Sequence, residues 1–439
     1  MTSRSALLLT ALLLAAVLGL LVAVLVPWRP LPMAGHRRTP ADPARDFTPA
    51  EVARAASYRA AVRPPAYTSW GTGVVVAAVL GLTPLGARLV EAVAAPPGGG
   101  WWARAVLGTF ALTLLGRLLA LPWDAWSHTV QRRHGLATQT WAAWSVDVAK
   151  AYAVGLVLTL AAVLGVVGLA RWQPQWWWVT GAVAGALLVV LVSFAYPVVV
   201  EPVFNRFAPM PDGALRTSLL DLARADGVPV RDVLVADASR RTTALNAYVS
   251  GFGATRRVVV YDTLLETGTP DEARLVVAHE LGHAKARDVV LGTMLGALGT
   301  ALLVCVLALL GRWSWLRSRA GVDALGDARS VALVLAVAAL LGVAGGPVSN
   351  LVSRRIETRA DVHALDLTGE PAAMVAMQRR LSTTNLADLD PSPLVFAMSA
   401  SHPTAPQRIA LARDWAAPYQ PLDDRTRPSA GEWSAPPPV

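Results

Sequence analysis

The sequence predicts an α-helical integral membrane protein: seven transmembrane helices with a small α+β domain inserted among them. Three observations lead there. Of the 439 residues, 54% are hydrophobic and only 16% charged, with a mean hydropathy of +0.44, a balance soluble globules of this length rarely show. Apolar runs long enough to cross about 30 Å of hydrocarbon as helix occur at residues 5–27, 71–95, 103–122, 151–170, 178–200, 289–311 and 329–350. Finally, a polar stretch with mixed helical and strand patterns interrupts the series between the fifth and sixth runs.

In chain order, residues 1–28 form the first transmembrane helix. Only Arg4 precedes its apolar core, which exceeds a secretory h-region and has no small-residue cleavage site after it, so it reads as an anchor. Residues 29–68 are a basic linker and surface helix: 29–48 are rich in Pro and Arg, and 49–63 are expected to lie as a basic helix on the membrane. Spans two to five occupy 69–200, the inserted domain 201–288, and spans six and seven 289–350. Residues 351–415 are expected to complete the inserted domain, and the Pro-rich, aperiodic segment 416–439 to be a disordered tail. Many of the sixteen Trp, including Trp101, Trp102 and Trp176 to Trp178, sit at span ends, where amphipathic rings favour the headgroup region. The single Cys305, in an apolar run, excludes a disulfide framework and a cysteine metal site, and reads as a small core or lipid-facing residue. A net charge of +9 does not point to nucleic acid, because the arginines are spread over loops beside apolar spans.

Seven spans put the segments after spans one, three, five and seven on one side. The first of these carries Arg29, Arg37, Arg38, Arg45, Arg54, Arg59 and Arg63, so that side is expected to be cytoplasmic, although Arg312, Arg317, Arg319 and Arg329 reduce the contrast. The same parity brings 201–288 and the chain beyond 350 to one membrane face. Within the inserted domain a helix is expected around Leu215 to Ala225, a strand at Val233 to Ala236, and a hairpin from Asn246 to Ser250 and Arg256 to Tyr261. Asp271 is expected to cap the next helix.

That helix carries the chemistry. In VVAHELGHAKARD, His279 and His283 stand four residues apart, so both imidazoles project from one helical face and can share a zinc ion. Glu280 is placed to take a proton from zinc-bound water and return it to the leaving amine. A catalytic zinc needs a third protein ligand. Glu357 in SRRIETRAD, on a helix that starts where span seven ends, is the best candidate, ahead of Asp366 and His363. Asp361, one turn later on the same face, can accept from a ligand histidine and fix its tautomer. In isolation, Glu357 and Asp361 would read as a solvated helix face paired with arginines.

The motifs together resemble the type I CAAX prenyl endopeptidases, seven-span membrane zinc proteases whose helices surround a water-filled chamber. The resemblance rests on NAYVSGFGATRRVVVYDTLL from Asn246, the HExxH helix, SRRIETRAD from Ser353 and SHPTAPQRI from Ser401, with weaker similarity at Glu201 to Leu215 and Arg54 to Tyr58. It implies seven transmembrane helices around a chamber with an inserted α+β zinc-metallopeptidase domain, one Zn2+ held by His279, His283 and Glu357, and Glu280 as general base. It also implies that His402 and Arg408 lie near the metal, His402 stabilising the oxyanion, and that Asn246 and the strand after it pair with the substrate backbone. The expected partners are a peptide or protein substrate and the lipid bilayer of a bacterial cell, with the catalytic domain facing the cytoplasm. Two departures stand out. Ala244 occupies a position where the family often has His, and HGLATQT at 134–140 replaces an FGFN-type loop.

Other readings are weaker. Intramembrane site-2 proteases bury HExxH inside a span, whereas Arg274, Lys285, Arg287 and Asp288 flank it here, and heat-shock membrane metalloproteases have fewer spans. A zinc-binding scaffold or transporter would have no need of Glu280.

Overall fold

The computed structural model describes residues 2–29, 39–95, 100–251 and 256–417. Arg37, Arg38, the tip of the expected hairpin and the Pro-rich tail beyond residue 417 lie outside them.

The membrane half begins with α1 (Ser3–Leu25), the short α2 (Pro43–Asp46), α3 (Pro49–Gly81), α4 (Pro84–Ala94), α5 (Trp101–Arg133), α6 (Trp141–Trp172) and α7 (Trp177–Ala195). A π-helical turn, Tyr196–Val200, continues α7 into α8 (Glu201–Phe204). The inserted domain follows: β1 (Phe207–Pro209), α9 (Ala214–Ala225), β2 (Asp232–Ala236), β3 (Ala247–Ser250), β4 (Arg257–Tyr261), α10 (Asp262–Thr267) and α11 (Pro270–Lys285). The chain returns to the membrane in α12 (Asp288–Gly311), turns through α13 (Ser314–Ala320), and crosses back in α14 (Val331–Thr368) before α15 (Pro371–Thr384), α16 (Pro393–Ser399) and α17 (Ala405–Ala416).

Among the described residues six helical stretches are each long and apolar enough to cross a membrane, or up to seven if the bent pair α3 and α4 is one span. That pair departs from the continuous span expected at 71–95, because α4 is bent from α3 by 82°. The cause is local. Pro84 cannot continue α3, the Thr83 hydroxyl donates back to the Val79 carbonyl at 2.6 Å, and the same oxygen accepts from Leu85 N–H to start α4. Gly81 and Gly86 let the bend press against Ala332 of α14, a contact any Cβ would block.

Residues 49–63 are likewise not a separate surface helix. They are the first half of α3, which runs through Pro64 and Pro65. Two of its basic side chains bond to protein: Arg59 donates to the Leu386 carbonyl at 2.9 Å and Arg63 pairs with Asp388, while Tyr58 and Val62 pack with Leu386.

The spans pack in the order α3, α5, α6, α7, α12, α14 and back to α3, with α1 outside against α12. Polar groups of α3 and α5 bond to one another: Ser69 donates to Asp124 at 2.6 Å, and Arg117 pairs with the same carboxylate. Charged groups at membrane depth belong in a bundle interior. Cys305 is fully buried, and Trp177 and Trp178 are core residues beside Ala6 and Leu7 rather than headgroup anchors.

On one side of the bundle the segments after α1, α5, α7 and α14 meet. Thr39 N–H donates to Asp414 at 2.8 Å, Asp46 pairs with Arg413, and Thr138 N–H donates to the Arg241 carbonyl at 3.1 Å. The opposite ends meet elsewhere, with the Ser3 hydroxyl donating to the Gln175 carbonyl and Arg171 to that of Gly326.

The inserted domain is built on a four-stranded sheet in the order β1-β2-β4-β3. Strands β2 and β4 are parallel, while β1 on β2 and β3 on β4 are antiparallel. This makes β3 an edge strand, with α11 packed against it. The core between sheet and α11 includes Leu219, Val233, Val258, Leu275 and Leu281, all fully buried. The cap of α11 is Thr269, not Asp271: Thr269 and Glu272 form a reciprocal capping box with Pro270 at the first helical position, leaving Asp271 in the first turn.

Candidate active site

Helix α11 presents His279 and His283 toward α14, whose Glu357 enters from the other side. His279 Nε2 lies 3.2 Å from Glu357 Oε2 and 3.2 Å from His283 Nε2, and His283 Nε2 lies 3.5 Å from Glu357 Oε1. One ligand atom from each residue falls within 4.8 Å of the others.

Each imidazole is oriented by a carboxylate on its other nitrogen. His279 Nδ1–H donates to Asp361 at 2.9 Å, and His283 Nδ1–H donates to Asp288 at 2.9 Å. With both Nδ1 positions occupied as donors, the two Nε2 lone pairs are left pointing at the same space as the Glu357 carboxylate. Three converging Lewis bases of this kind repel one another unless a cation or protons lie between them. The donor set, two imidazoles and a carboxylate, is one that catalytic zinc uses, so these residues fit the ion.

The carboxylates are anchored in turn. Asp361 is fully buried and accepts from Arg408 Nε at 2.8 Å and from a second guanidinium nitrogen. Asp288 pairs with Arg359 of α14. The parts that Asp288 and Arg359 play in orienting His283 escaped the sequence reading. The signal, Asp five residues past His283, is ordinary for the first turn of a helix. Only the left-handed conformation of Arg287 (φ 57°, ψ 39°) folds the chain so that Asp288 turns back onto His283.

His402 approaches from the loop before α17, its Nε2 3.3 Å from Glu357 Oε1 and its Nδ1 2.8 Å from the Ser401 hydroxyl. Asn246 is exposed at the entry to β3, its carbonyl accepting from Tyr261 N–H at 3.1 Å. The segment leading to it is braced by the 134–140 loop, since Thr243 N–H donates to the Leu136 carbonyl and Thr138 N–H to that of Arg241, both at 3.1 Å. The HGLATQT departure thus forms a backbone brace. Ala244 is bonded through its backbone, its carbonyl accepting from Thr263 at 2.7 Å. The rival ligands point elsewhere: His363 bonds Asp226 at 3.0 Å, and Asp366 accepts from Trp415 at 2.8 Å.

Burial opposes protonation of His279, but the hydrogen bonds to Asp361 and Glu357 outweigh it and raise its pKa to about 9. Burial pushes the Glu280 carboxyl above its ordinary range, against the pull of His279 and His283. For His402 the surrounding protein disfavours the charged form more than Glu357 favours it, so its pKa is lowered.

Residues 209–416 match peptidase family M48, and residues 32–206 match the CAAX prenyl protease N-terminal family, described by its five membrane helices. The uncharacterized metalloprotease YhfN of Bacillus subtilis is 31% identical over 306 residues, covering 69% of this chain and 72% of that protein. The chain belongs to peptidase family M48. Among its M48 relatives, CAAX prenyl protease 1 of Saccharomyces cerevisiae is 28% identical over 322 residues, covering 68% of this chain and 69% of that one. The crystal structure of S. mikatae Ste24p superposes with a TM-score of 0.75 at 20% identity, over 92% of this chain and 98% of that one, and shares its fold. The protein is therefore an integral membrane M48 metallopeptidase of the CAAX prenyl endopeptidase family, acting on peptides or proteins in a membrane setting.

Proposed function

We propose that the chain is a zinc metalloendopeptidase that hydrolyses peptide bonds of membrane-associated proteins or peptides, CAAX prenyl protease-like, in a bacterial cell membrane with its active site facing the cytoplasm. The observation that carries this reading is the convergence of His279, His283 and Glu357, each histidine oriented by its own carboxylate.

These three residues would hold one zinc ion, which supplies Lewis acidity that polarises a carbonyl and lowers the pKa of a water. Glu280, one residue from His279 and raised in pKa by burial, accepts the proton of the attacking water and delivers it to the leaving amine. The neutral His402, held by Ser401, donates its N–H to the oxygen on which negative charge develops. Substrate backbone adds to the edge strand β3, guided at its start by Asn246. Arg408 holds Asp361, which in turn holds His279. The cytoplasmic orientation rests on the arginines of the segment after α1, which lies on the catalytic side.

Chelation tests the metal requirement. Purified protein dialysed against a zinc chelator is expected to lose cleavage of a peptide library and to regain it with added Zn2+. Undiminished cleavage after zinc is removed to background would contradict the reading.

A further inference from the structure

We infer that a second site, behind the metal cluster, binds the phosphate headgroup of an anionic phospholipid. A cavity of about 290 Å³ runs between α14 and α17 under the edge of α16. Its α14 wall presents Leu351, Arg354, Arg355 and Thr358, positions that share one helical face, and Gln407 stands opposite on α17. Asp361 and Arg408 close its inner end.

Exposed apolar side chains stand on two of the helices that line the cavity: Val348 of α14 is 59% exposed and Leu394 of α16 is 73% exposed. The cavity itself is lined by guanidinium, hydroxyl and amide groups. Its depth is marked by Trp28, three residues past the end of α1, whose ring lies 5.9 Å beneath the Arg355 guanidinium. Tryptophan at a span end and arginine one turn beyond an apolar helix both belong at the headgroup level.

The charge is unbalanced. Three arginines line the cavity against one carboxylate, Asp361, and Arg408 already bonds both of its oxygens. Arg354 lies over the Phe396 ring at 4.4 Å and donates to the Phe396 carbonyl at 3.1 Å. Among the described residues, Arg355 has no carboxylate partner. A cation without a counterion at the mouth of a basic cavity at headgroup depth calls for an anion delivered by the bilayer. A free phosphate would leave the exposed Val348 and Leu394 of the neighbouring helix surface unused. The site does not depend on the peptidase reading, since no ligand of the metal takes part.

The test uses the full-length protein in nanodiscs of mixed phosphatidylcholine and phosphatidylglycerol, with retained lipids counted by native mass spectrometry. Wild type is expected to retain phosphatidylglycerol in preference, and Arg355→Gln to lose that preference several-fold. Gln407→Glu keeps folding out of the question. Gln407 is the third residue of the α17 capping box with Thr404, a position where Glu caps equally well, so this variant only sets a negative charge at the cavity wall. It is expected to lose the preference too. Arg319→Gln is the matched control, because Arg319 also lies over a tryptophan, Trp315 at 5.9 Å, but away from the cavity. It is expected to retain phosphatidylglycerol as wild type does. Equal retention of both lipids by wild type, unchanged preference in Arg355→Gln and Gln407→Glu, or displacement of the lipid by inorganic phosphate alone would overturn the proposal.

Discussion

Asp361 and Asp288 act on the metal site through the histidines they hold, so their removal should be felt in metal affinity before it is felt in folding. Asp361→Asn and Asp288→Asn are each expected to weaken zinc binding by about 10- to 100-fold, measured by competition with a chromophoric chelator. An affinity equal to wild type would show that the histidines orient themselves. The raised pKa of His279 adds a pH dependence. Below about pH 9 the metal-free imidazole carries a proton that the ion must displace. Zinc affinity should therefore rise with pH through the neutral range, by up to about tenfold per unit for one released proton, and flatten above pH 9. A pH-independent affinity would contradict the geometry. At this scale the sequence made much visible: the spacing of His279 and His283 and the one-turn offset of Asp361 from Glu357 are helical arithmetic. What it hid depended on backbone that no pattern encodes. Asp288 reaches His283 only because Arg287 adopts a left-handed conformation, and Ser401 matters only because it fixes one nitrogen of His402.

Among the elements, the junction of α11 and α12 is where the catalytic domain meets the membrane, and it turns on Arg287. Glycine enters the left-handed region without steric cost, whereas a β-branched residue does not. Arg287→Gly is expected to be neutral or stabilising, and Arg287→Val to cost about 1 to 2 kcal/mol and to lower zinc content by displacing Asp288. Thermal unfolding and metal analysis of the two variants check both halves of this expectation. At the other end of the bundle, Gly81→Leu would drive a side chain into Ala332 and Ala336 of α14. It is expected to lower the melting temperature in detergent, since overpacking costs about 1 to 3 kcal/mol. The apolar runs located the six helices long enough to cross a membrane but not the break at Thr83 and Pro84 in the run at 71–95, because both arms of the bend are apolar and hydropathy carries no direction. The basic face of residues 49–63 misled for a related reason. Arginine on a helix looks the same whether it meets headgroups or, as Arg59 and Arg63 do, the carbonyl and carboxylate of a neighbouring segment.

For the molecule as a whole, the membrane ring and the inserted domain share α14, which starts as a span and ends as the carrier of Glu357 and Asp361. The site is thus assembled only when the last span, the inserted helix α11 and the terminal α17 come together on one side of the bundle. The parity of spans made that meeting legible in the sequence, while the side chains that fasten it, such as Asp46 to Arg413 and Thr39 to Asp414, join positions too far apart in sequence for any local pattern to reveal. The central claim is that this assembly holds a zinc ion for peptide hydrolysis with Glu280 as the base, and one comparison tests it most directly. Purified wild type and Glu280→Gln are analysed side by side for zinc content and for cleavage of a peptide library. The account predicts one zinc per chain in both and a loss of cleavage of about 100-fold or more in Glu280→Gln. Equal cleavage by the two proteins would contradict it.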